Sequence, residues 1–450
     1  MEMLKSFGRT SIRQGGITSL WIGPRFFIVV TDPNIIEIVL KKCLAKGDIM
    51  RIFKEFLGCG SIFAPVPIWR PRRKINAPTF SIKNLNQFTE VFYRQSSIMV
   101  DQLREAAGKG TFSVWKYLTT YTMDSVCEST LGVKVDAQRH PDHPFLQAFD
   151  QHCQMSAARM LLPPFAQKVY KYLPIYKTYQ KPIHYMWQFV DNIVKEKRNE
   201  LAISRKKQLE SNTDDPKKAL PIKTFLELLI ESSGRTLAFT DLQLREETLV
   251  LILAGTDTSA VGSAFTCLML ARHPDVQEKI YQEVKEILDK SDAPITSADL
   301  PKLKYLEAVV KESLRLYPPV PVTVRKVEED FQLPSGLTIV SGTDVVISIW
   351  GVHRNPEYWG DDAEEFRPER FLESSLLHPA AFIPFSQGPR SCLGYQYAMM
   401  SMKTAMANLI RHYRILPASP AYDKNAPLRV KFDVMMKHVE NFELQIEARK

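Results

Sequence analysis

The stretch Phe385-Ser-Gln-Gly-Pro-Arg-Ser-Cys-Leu-Gly394 places a single cysteine, Cys392, in a loop whose other residues favour a defined backbone shape. Gly388 tolerates a positive φ, Pro389 fixes its own φ, and Gly394 permits the close approach of whatever follows. The loop therefore presents the thiol in a defined position.

The electrostatic surroundings of this cysteine favour its thiolate. Apolar residues at helical spacing begin at about Tyr395, so Cys392 lies just before a helix N-terminus, where backbone N–H groups and the helix dipole stabilise an anion. Arg390 adds a positive charge nearby. Such a cysteine is a nucleophile, a redox thiol or a metal ligand, or else an inert buried residue, and the loop alone does not separate these.

The fixed positions follow the spacing Phe-x-x-Gly-x-Arg-x-Cys-x-Gly, which resembles the haem-binding signature of the cytochrome P450 superfamily at every one of them. The resemblance implies a cytochrome P450 fold, mainly α with small β-sheets (α+β), with the haem between a long central helix and the cysteine loop. It implies that Cys392 is the axial ligand of the haem iron, where a thiolate favours O–O cleavage. It also assigns Phe385, Arg390 and Gly394 to the cofactor site.

The composition is that of an ordinary globular protein of 450 residues, 45% hydrophobic and 24% charged. Six cysteines without a Cys-x-x-Cys pair argue against a disulfide framework or zinc site and indicate a reducing compartment. The net charge of +9 fits simple solubility, or a basic face for an acidic partner or an anionic membrane. The sequence has no zinc-finger, RNP or basic-zipper pattern, which argues against nucleic acid. Without a repeat or linker, it predicts one catalytic domain over residues 1–450.

Strand patterns predict a β-rich edge on the helical core, at about residues 17–30, 322–348 and 428–446. In the first of these, a turn at Gly23-Pro24 separates two short strands, and Asp32 and Pro33 then begin a helix. Residues 53–67 mix Gly, Pro and aromatic residues without a period and predict a loop.

Amphipathic patterns predict helices at about residues 85–107, 114–131 and 145–161. Between about 161 and 176, aromatic residues, prolines and lysines interleave. This segment is either a connector between helices or an interfacial patch that dips into lipid. The charged run 195–207 predicts a solvated helix end and loop, and 212–218 a polar loop.

Trp69 and Arg73 stand four residues apart, hence on one face of a helix. The indole N–H and the guanidinium are donors that suit a carboxylate, although a solvated basic turn explains the same residues. Trp-x-x-x-Arg resembles the family's motif on the helix that holds a haem propionate, which assigns both residues to the cofactor. The resemblance adds Arg325, in a strand predicted at 322–326, as another propionate donor.

Residues 249–271 are apolar except for Asp257 and are long enough to span a membrane. Because Asp257 lies beside Thr256 and Thr258 in mid-run, where a charge is costly in lipid, the sequence favours a central buried helix. The segment 254–259, Ala-Gly-Thr-Asp-Thr-Ser, resembles the family's oxygen-activation motif. The resemblance makes Thr258 the hydrogen-bonding partner of the reacting oxygen and Asp257 a relay of protons from solvent.

Glu312 and Arg315 stand three residues apart in a helix predicted at 297–317, a spacing that by itself predicts an exposed ion pair worth ~0.2–0.5 kcal/mol. They also resemble the family's Glu-x-x-Arg motif, which joins the arginine of a downstream Phe-x-Pro-Glu-Arg-Phe, here Arg370. The resemblance implies a buried three-residue network with a structural role.

The resemblance extends from Trp69 to Gly394 and is strongest to family four and its insect relatives. It implies an oxidoreductase, a haem-thiolate monooxygenase with haem b. The reaction inserts one oxygen atom of O2 into a lipophilic fatty acid, terpenoid, steroid or xenobiotic. Several fatty-acid ω-hydroxylases of family four esterify a Glu of the central motif to the haem. Ala254 stands at that position, so no covalent link is expected beyond the Cys392–iron bond, and strict ω-selectivity is not implied.

The implied partners are NADPH-cytochrome P450 reductase, which passes electrons singly, cytochrome b5 as an optional second donor, and a membrane surface, with the protein a monomer. The implied location is the cytosolic face of the endoplasmic reticulum membrane. The apolar anchor and proline-rich hinge of microsomal members are not found in residues 1–16, which Lys5, Arg9 and Arg13 interrupt. Two alternatives stay open. One is a haem-thiolate isomerase or dehydratase that needs no reductase, against which the Asp257-Thr258 pair argues; the other is a non-catalytic protein that binds haem or a hydrophobic ligand.

Overall fold

The computed structural model of the protein describes residues 1–140, 142–160, 162–211, 224–232, 239–288, 293–373, 376–419 and 426–449. The polar loop predicted at 212–218 lies outside them. The helices in this part of the chain are α1 (Glu2–Arg13), α2 (Pro33–Lys42), α3 (Lys54–Leu57), α4 (Val66–Asn76), α5 (Ile82–Leu103), α6 (Trp115–Val126), α7 (Pro144–Met160), α8 (Pro164–Val169), α9 (Ile175–Ser211), α10 (Phe225–Ser232), α11 (Asp241–Arg272), α12 (Pro274–Ile287), α13 (Lys304–Leu316), α14 (Ile349–Val352), α15 (Pro356–Trp359), α16 (Arg370–Glu373) and α17 (Tyr395–His412). The strands are β1 (Ile17–Ile22), β2 (Arg25–Val30), β3 (Phe112–Ser113), β4 (Val322–Lys326), β5 (Phe331–Gln332), β6 (Thr338–Ile339), β7 (Asp344–Ser348), β8 (Tyr413–Pro417), β9 (Val430–Asp433), β10 (Met435–His438) and β11 (Glu443–Ala448).

A four-stranded sheet with the order β1-β2-β7-β4 forms one edge of the molecule. β1 and β2 make the predicted antiparallel pair, β7 joins β2 in parallel, and β4 pairs antiparallel with β7. Val30 and Ile347, which are opposite each other in β2 and β7, are fully buried. After the sheet's second strand, Asp32 caps α2 as predicted by accepting the Ile35 N–H at 2.8 Å.

Among the described residues, one smaller sheet has the order β3-β11-β8, and two further sheets pair β9 with β10 and β5 with β6. The sequence does not indicate β8, because this strand follows α17 directly, from His412 to Tyr413, with no Gly or Pro to mark the boundary. Helices contain far more residues of the described chain than these short strands do. The predicted fold class, mainly α with small β-sheets, is therefore confirmed.

α11 lies at the centre of the helical core and packs against α6, α9, α12, α13 and α17. It begins with a capping box, in which the Thr240 hydroxyl accepts the Gln243 N–H at 3.3 Å and the Gln243 side chain accepts the Thr240 N–H at 2.9 Å. By length and composition this helix can cross a membrane, but most of it is buried inside the protein. α11 is thus the core helix that the run 249–271 predicts.

Three boundaries differ from the prediction. The loop predicted at 53–67 contains α3, a single turn with buried Phe56, which is too short to leave a periodic signal. The helix predicted at 297–317 begins only at Lys304, because the residues before it form turns. The charged run 195–207, predicted as a helix end and loop, lies inside α9, since its Lys, Arg and Glu residues are good helix formers.

Candidate active site

The loop that carries Cys392 is held by its own backbone. The Cys392 N–H donates to the Phe385 carbonyl at 2.9 Å. The Ser391 N–H donates to the Gly388 carbonyl at 3.0 Å. Gly388 has φ 74°, and a Cβ there would come within 2.9 Å of the Leu40 carbonyl oxygen. Glycine is therefore required at this position for both its conformation and its size.

The positive charge beside the Cys392 thiol belongs to Arg73. Burial raises the pKa of Cys392 above its usual value, and the Gly394 N–H and the Arg73 guanidinium partly offset this rise. Arg73 reaches the loop by donating to the Ser391 carbonyl at 2.8 Å. Arg390, expected to supply the charge, donates instead to backbone carbonyls of other segments. In the protein alone, burial thus outweighs the stabilisation of the thiolate that the sequence predicts.

The exposure and the pKa of the Cys392 side chain together indicate a space beside it. The side chain is exposed although burial among protein atoms raises its pKa, and the two facts agree if the thiol faces a cavity inside the molecule. A Cβ on Gly394 would meet no other part of the described chain closer than 3.8 Å. The close approach predicted at Gly394 is therefore not made by a protein segment, and the space beside it suits a bound group.

α11 presents one partly exposed face within an otherwise buried segment. From Glu246 to Ala271, every residue is buried except Leu251, Ala254, Gly255 and Thr258. These four stand at the spacing i, i+3, i+4, i+7, which places them on a single face of the helix. Leu251 and Ala254 make most of this face apolar, and Thr258 adds one hydroxyl.

Three cations, Lys46, Arg325 and Arg390, lie together with no carboxylate partner among the described residues. Arg325 is fully buried, and its Nε has no hydrogen-bond partner in the described chain. Burial lowers the pKa values of Arg325 and Arg390 to about 10, and Arg325 adds to the effect on Arg390. Burial, with Arg325 and Arg390 nearby, also lowers the pKa of Lys46 well below its usual value. None of the three has an ion-pair partner among the described residues, so the cluster suits a ligand with carboxylates.

Lys46 is a member of this cluster that sequence reasoning missed. It occurs in the run Leu44-Ala-Lys-Gly47, which matches none of the family motifs found in this chain. The fold brings it to Arg325 through an isolated antiparallel bridge between the two residues. Their separation of more than two hundred positions leaves no local signal in the sequence.

Trp69 and Arg73 lie on α4 as the sequence predicts. Trp69 is buried, and the Arg390 guanidinium stacks 4.2 Å above its ring. Arg390 is fixed by donating to the carbonyl of Ala64 at 2.6 Å and to that of Ser61 at 3.2 Å. α4 and the cysteine loop are therefore joined at two points, through Trp69 and through Arg73.

Arg72 is a further residue of α4 that the motifs did not identify. Its Nη1 donates to Glu247 Oε1 of α11 at 2.8 Å and to the Cys59 carbonyl at 2.6 Å. Asn76 donates to the other oxygen of Glu247 at 3.0 Å. This buried network fixes α4 against the first turns of α11.

Asp257 and Thr258 are neighbours in α11 that face different surroundings. The Thr258 hydroxyl donates to the Ala254 carbonyl at 2.6 Å, on the partly exposed face. Asp257 is buried and lies 3.4 Å from the Lys437 ammonium. Burial raises the pKa of Asp257 to about 6, and Lys437 opposes the rise. Asp257 Oδ2 has no hydrogen-bond partner in the described chain, so this oxygen can accept a proton or a water.

Glu312, Arg315 and Arg370 are brought together in the interior. Glu312 accepts from Arg315 Nε at 2.7 Å and from Arg370 Nε at 3.0 Å. Arg315 also donates to the carbonyls of His353 and Glu365, each at 2.8 Å. Both guanidinium groups thus bind the buried Glu312 carboxylate and backbone carbonyls, and Arg370 also pairs with Asp362 at 3.3 Å. The assembly joins α13 to the segment that precedes the cysteine loop.

The residues present fit a haem. The Cys392 thiol is exposed beside Gly394, where a Cβ atom would have room, and the unpaired cations Lys46 and Arg325 suit the propionate carboxylates. Both observations come from the protein alone: an exposed thiol among buried neighbours, and a buried guanidinium nitrogen without a partner.

Comparison with known proteins agrees with this chemistry. The family model "Cytochrome P450" matches residues 1–443, nearly the whole chain. The chain therefore belongs to the cytochrome P450 family of monooxygenases, which use haem, O2 and NADPH-derived electrons.

The similar proteins carry family-four names, as the sequence motifs predict. Cytochrome P450 4c21 of Blattella germanica is 33% identical over 437 residues, which cover 96% of this chain and 85% of that protein. Cytochrome P450 4d2 of Drosophila melanogaster is 33% identical, with 93% and 85% covered. Human cytochrome P450 4V2 is 31% identical, with 89% and 77% covered. The predicted resemblance to family four and its insect relatives is confirmed.

Proposed function

We propose that this protein hydroxylates a lipophilic small molecule, a fatty acid, terpenoid, steroid or xenobiotic, at a haem held by Cys392. The observation that carries this proposal is the partly exposed face of α11, which offers Leu251 and Ala254 to a ligand and a single hydroxyl, Thr258. An apolar wall of this kind favours a substrate with much apolar surface and few polar groups. The family-four names of the similar proteins support the same substrate class.

The proposed division of roles follows the contacts described above. Bound at this site, haem supplies the activation of O2. Cys392 coordinates the iron, Lys46 and Arg325 bind propionate oxygens, and Trp69, Arg73, Arg390, Phe385 and Gly394 shape and support the cofactor site. Thr258 hydrogen-bonds the reacting oxygen, and Asp257 takes protons from solvent and hands them on. Glu312, Arg315 and Arg370 hold the fold behind the loop.

The carbon monoxide difference spectrum of the dithionite-reduced protein is the first test. A strongly red-shifted Soret band is expected in the natural protein and not in Cys392→Ser. A band at the shorter wavelength of non-thiolate haem in both proteins would contradict the role of Cys392. A screen with reductase, NADPH and lipophilic compounds then tests turnover, and conversion of peroxide substrates without reductase would favour an isomerase or dehydratase.

The proposed role of Asp257 has its own test. Asp257→Asn and Thr258→Val should consume NADPH but form less product for each NADPH oxidised, because proton delivery is no longer directed. The measurement is the ratio of product to NADPH for a compound found in the screen. An unchanged ratio in Asp257→Asn would contradict the proton role and leave the haem-thiolate assignment intact.

We also propose that the reductase docks on the side of the cysteine loop. Arg70 and Lys74 of α4 are exposed, and α4 contacts this loop through Arg73. Neither has an ion-pair partner in the described chain, so both are free to meet an acidic surface. Arg70→Glu with Lys74→Glu should raise the reductase concentration needed for half-maximal turnover, and Lys195→Glu on α9 is the control. Equal effects of the two charge reversals would contradict this docking site.

A membrane surface is the proposed location, at the apolar groups of β1–β2 and α8. Trp21 is 68% exposed on the first element, and Phe165 and Tyr172 are 72% and 77% exposed on the second and just after it. Phe26 and Gln167 line one groove of about 570 Å³, so the two elements lie side by side. Large exposed apolar side chains in one area suit the interface of a bilayer, including that of the endoplasmic reticulum.

Flotation with phosphatidylcholine vesicles that contain phosphatidylserine tests this surface. Phe165→Ser with Tyr172→Ser should lower the bound fraction several-fold, whereas Leu377→Ser, which changes an equally exposed side chain elsewhere, should leave it unchanged. If both variants bind as the natural protein does, this surface is not the one that meets lipid.

A further inference from the structure

A buried lysine of the C-terminal hairpin joins α11 to α7. The Lys437 ammonium donates to Asp150 Oδ1 of α7 at 2.6 Å and lies 3.4 Å from Asp257 Oδ1 of α11. The Lys437 side chain is 9% exposed and that of Asp257 is 3% exposed, whereas Asp150 is 38% exposed. Three elements, β10, α7 and α11, therefore meet at one ammonium group whose outer partner reaches solvent.

Aromatic packing fixes this ammonium group in place. Lys437 Nζ lies 4.6 Å from the ring centroid of Trp115 of α6. Trp115 is itself buried and stacked on Phe442, with 5.2 Å between the ring centroids. A cation held over a buried ring gains a further attraction and loses the freedom of a surface lysine. Lys437 is thus part of the core and not a mobile surface charge.

Acids outnumber cations around Asp257. α7 contributes Asp150 and the thiol of Cys153, and β9 contributes Asp433, which is already paired with a lysine of its own strand. Burial raises the pKa of Asp257, Asp150 and Asp433 add to the rise, and Lys437 alone among these neighbours lowers it. Because Asp257 Oδ2 has no donor in the described chain, Lys437 is the group that holds this carboxylate.

We propose that Lys437 is a positioning residue for proton delivery, which keeps Asp257 as an oriented carboxylate and shares its ammonium group between Asp257 and Asp150 of α7. This inference rests on the proposed proton role of Asp257. It adds the residue that sets the protonation and the orientation of the Asp257 carboxyl group. The proton comes from solvent onto the free Oδ2 of Asp257 and leaves toward Thr258, so Lys437 itself gives up no proton.

The shared ammonium group also links α7 to this acid. Asp150 and Asp257 compete for Lys437, so a movement of α7 that withdraws Asp150 leaves the ammonium group to Asp257 and favours its carboxylate. The contact of Asp150 with Lys437 thereby affects how readily Asp257 accepts a proton.

Infrared titration of the ferric haem-loaded protein tests the inference without any substrate. The carboxylic acid C=O band that disappears in Asp257→Asn is assigned to Asp257, and its intensity is followed against pH. Removal of an opposite charge at this distance raises the pKa of a carboxyl by about 1–3 units, so the midpoint in Lys437→Met should lie that much higher. Lys437→Arg should have the same midpoint as the natural protein, because it keeps the positive charge beside Asp257.

Asp150→Asn is the matched variant with the opposite expected sign. It removes a competing acid and leaves Lys437 to Asp257, so the midpoint should move to lower pH. Local loosening of the structure would shift the midpoint of the Asp257 titration in the same direction in both variants. A midpoint in Lys437→Met equal to that of the natural protein, or equal directions in Lys437→Met and Asp150→Asn, would overturn the inference.

The result is distinguishable from failure of the proposed function. If Asp257→Asn leaves the product-to-NADPH ratio unchanged, the proton role of Asp257 fails whatever Lys437 does. If that ratio falls but the infrared midpoints do not separate, the role of Asp257 stands and only the role of Lys437 is wrong.

Discussion

A Cβ atom on Gly255 would stand 2.5 Å from Cγ2 of Val126, so α11 and α6 touch at this point with no room for a side chain. Val126 is buried, and its β-branched side chain has few alternative rotamers. The contact sets the distance between the two helices directly beside the face that carries Thr258. The glycine of the central motif is thus also a packing requirement of the core.

Gly255→Ala is therefore expected to destabilise the protein by about 1–2 kcal/mol, because overpacking outweighs the gain of ~1 kcal/mol in helix propensity. In a Val126→Ala background the clash is absent, and the same change should be neutral or stabilising. Urea unfolding of the four proteins in this cycle measures the coupling. An equal cost in both backgrounds would show that Val126 is not the obstacle.

Lys46→Met should have opposite effects with and without haem. Without haem it removes a half-buried cation that has no ion-pair partner among the described residues, so the free energy of unfolding should rise. With haem it removes a proposed propionate partner, so haem affinity should fall several-fold. Exposed Lys42→Met is the control for both measurements. A drop in stability without haem would contradict the placement of Lys46 in an unpaired cluster.

The pH dependence of the haem-free protein carries the same information. The pKa of Lys46 is lowered in the folded state, so its protonation opposes folding at neutral pH. This penalty is relieved as pH rises from the folded pKa toward the ordinary lysine value of ~10.4. The natural protein should gain stability over this alkaline range relative to Lys46→Met, and parallel curves would argue against the assignment.

Glu312→Gln is predicted to cost about 3–5 kcal/mol, since it leaves the fully buried Arg315 without a carboxylate and Arg370 with Asp362 alone. The control is Asp101→Asn, which breaks the exposed pair with Arg104 and should cost about 0–1 kcal/mol. Chemical unfolding gives both values, and the haem content of each variant is measured separately. A cost below that of the control would mean that the network does not stabilise the fold.

His353→Gln should remove part of the loss of stability in acid. Burial lowers the pKa of His353 to about 3, so the folded state keeps the ring neutral while the unfolded state binds a proton below about pH 6.5. Each such histidine lowers the free energy of unfolding by about 1.4 kcal/mol per pH unit between these values. Burial also lowers the pKa of His152 to about 3, so His152 adds a similar dependence of the free energy of unfolding on pH.

The free energy of unfolding is measured at a series of pH values for the natural protein and for the variant. The difference between the two values at each pH isolates the contribution of His353. The same slope is expected for His152→Gln, and the double variant should lose both. A flat difference for His353→Gln would mean that His353 accepts a proton in the folded protein.

Local chemistry made much of this molecule predictable. The positive φ of Gly388, the Asp32 cap and the 322–326 strand follow from what single residues impose on their own backbone. The haem signature located Cys392 because all its fixed positions lie in one loop, residues 385–394, and depend only on neighbouring residues.

Contacts between distant segments could not be predicted in this way. Arg390 donates to the carbonyl of Ala64, 326 positions away, and an arginine near a cysteine gives no sign that it will turn toward another loop. Lys437 and Asp257 lie in separate elements, and neither carries a local pattern that names the other. Such pairs depend on how helices and sheets pack, which periodicity alone does not specify.

The narrow exposed face of α11 has a consequence for the divergence of new specificities. Mutations at Leu251, Ala254 or Gly255 alter the proposed substrate-facing surface and the packing of α11 together, so few of them will be tolerated. Exposed residues outside this core, such as Tyr185 and Ile203 of α9, lie at the surface and can vary at a smaller structural cost. Natural selection for new substrates is therefore expected to leave α11 nearly unchanged and to act on these outer segments.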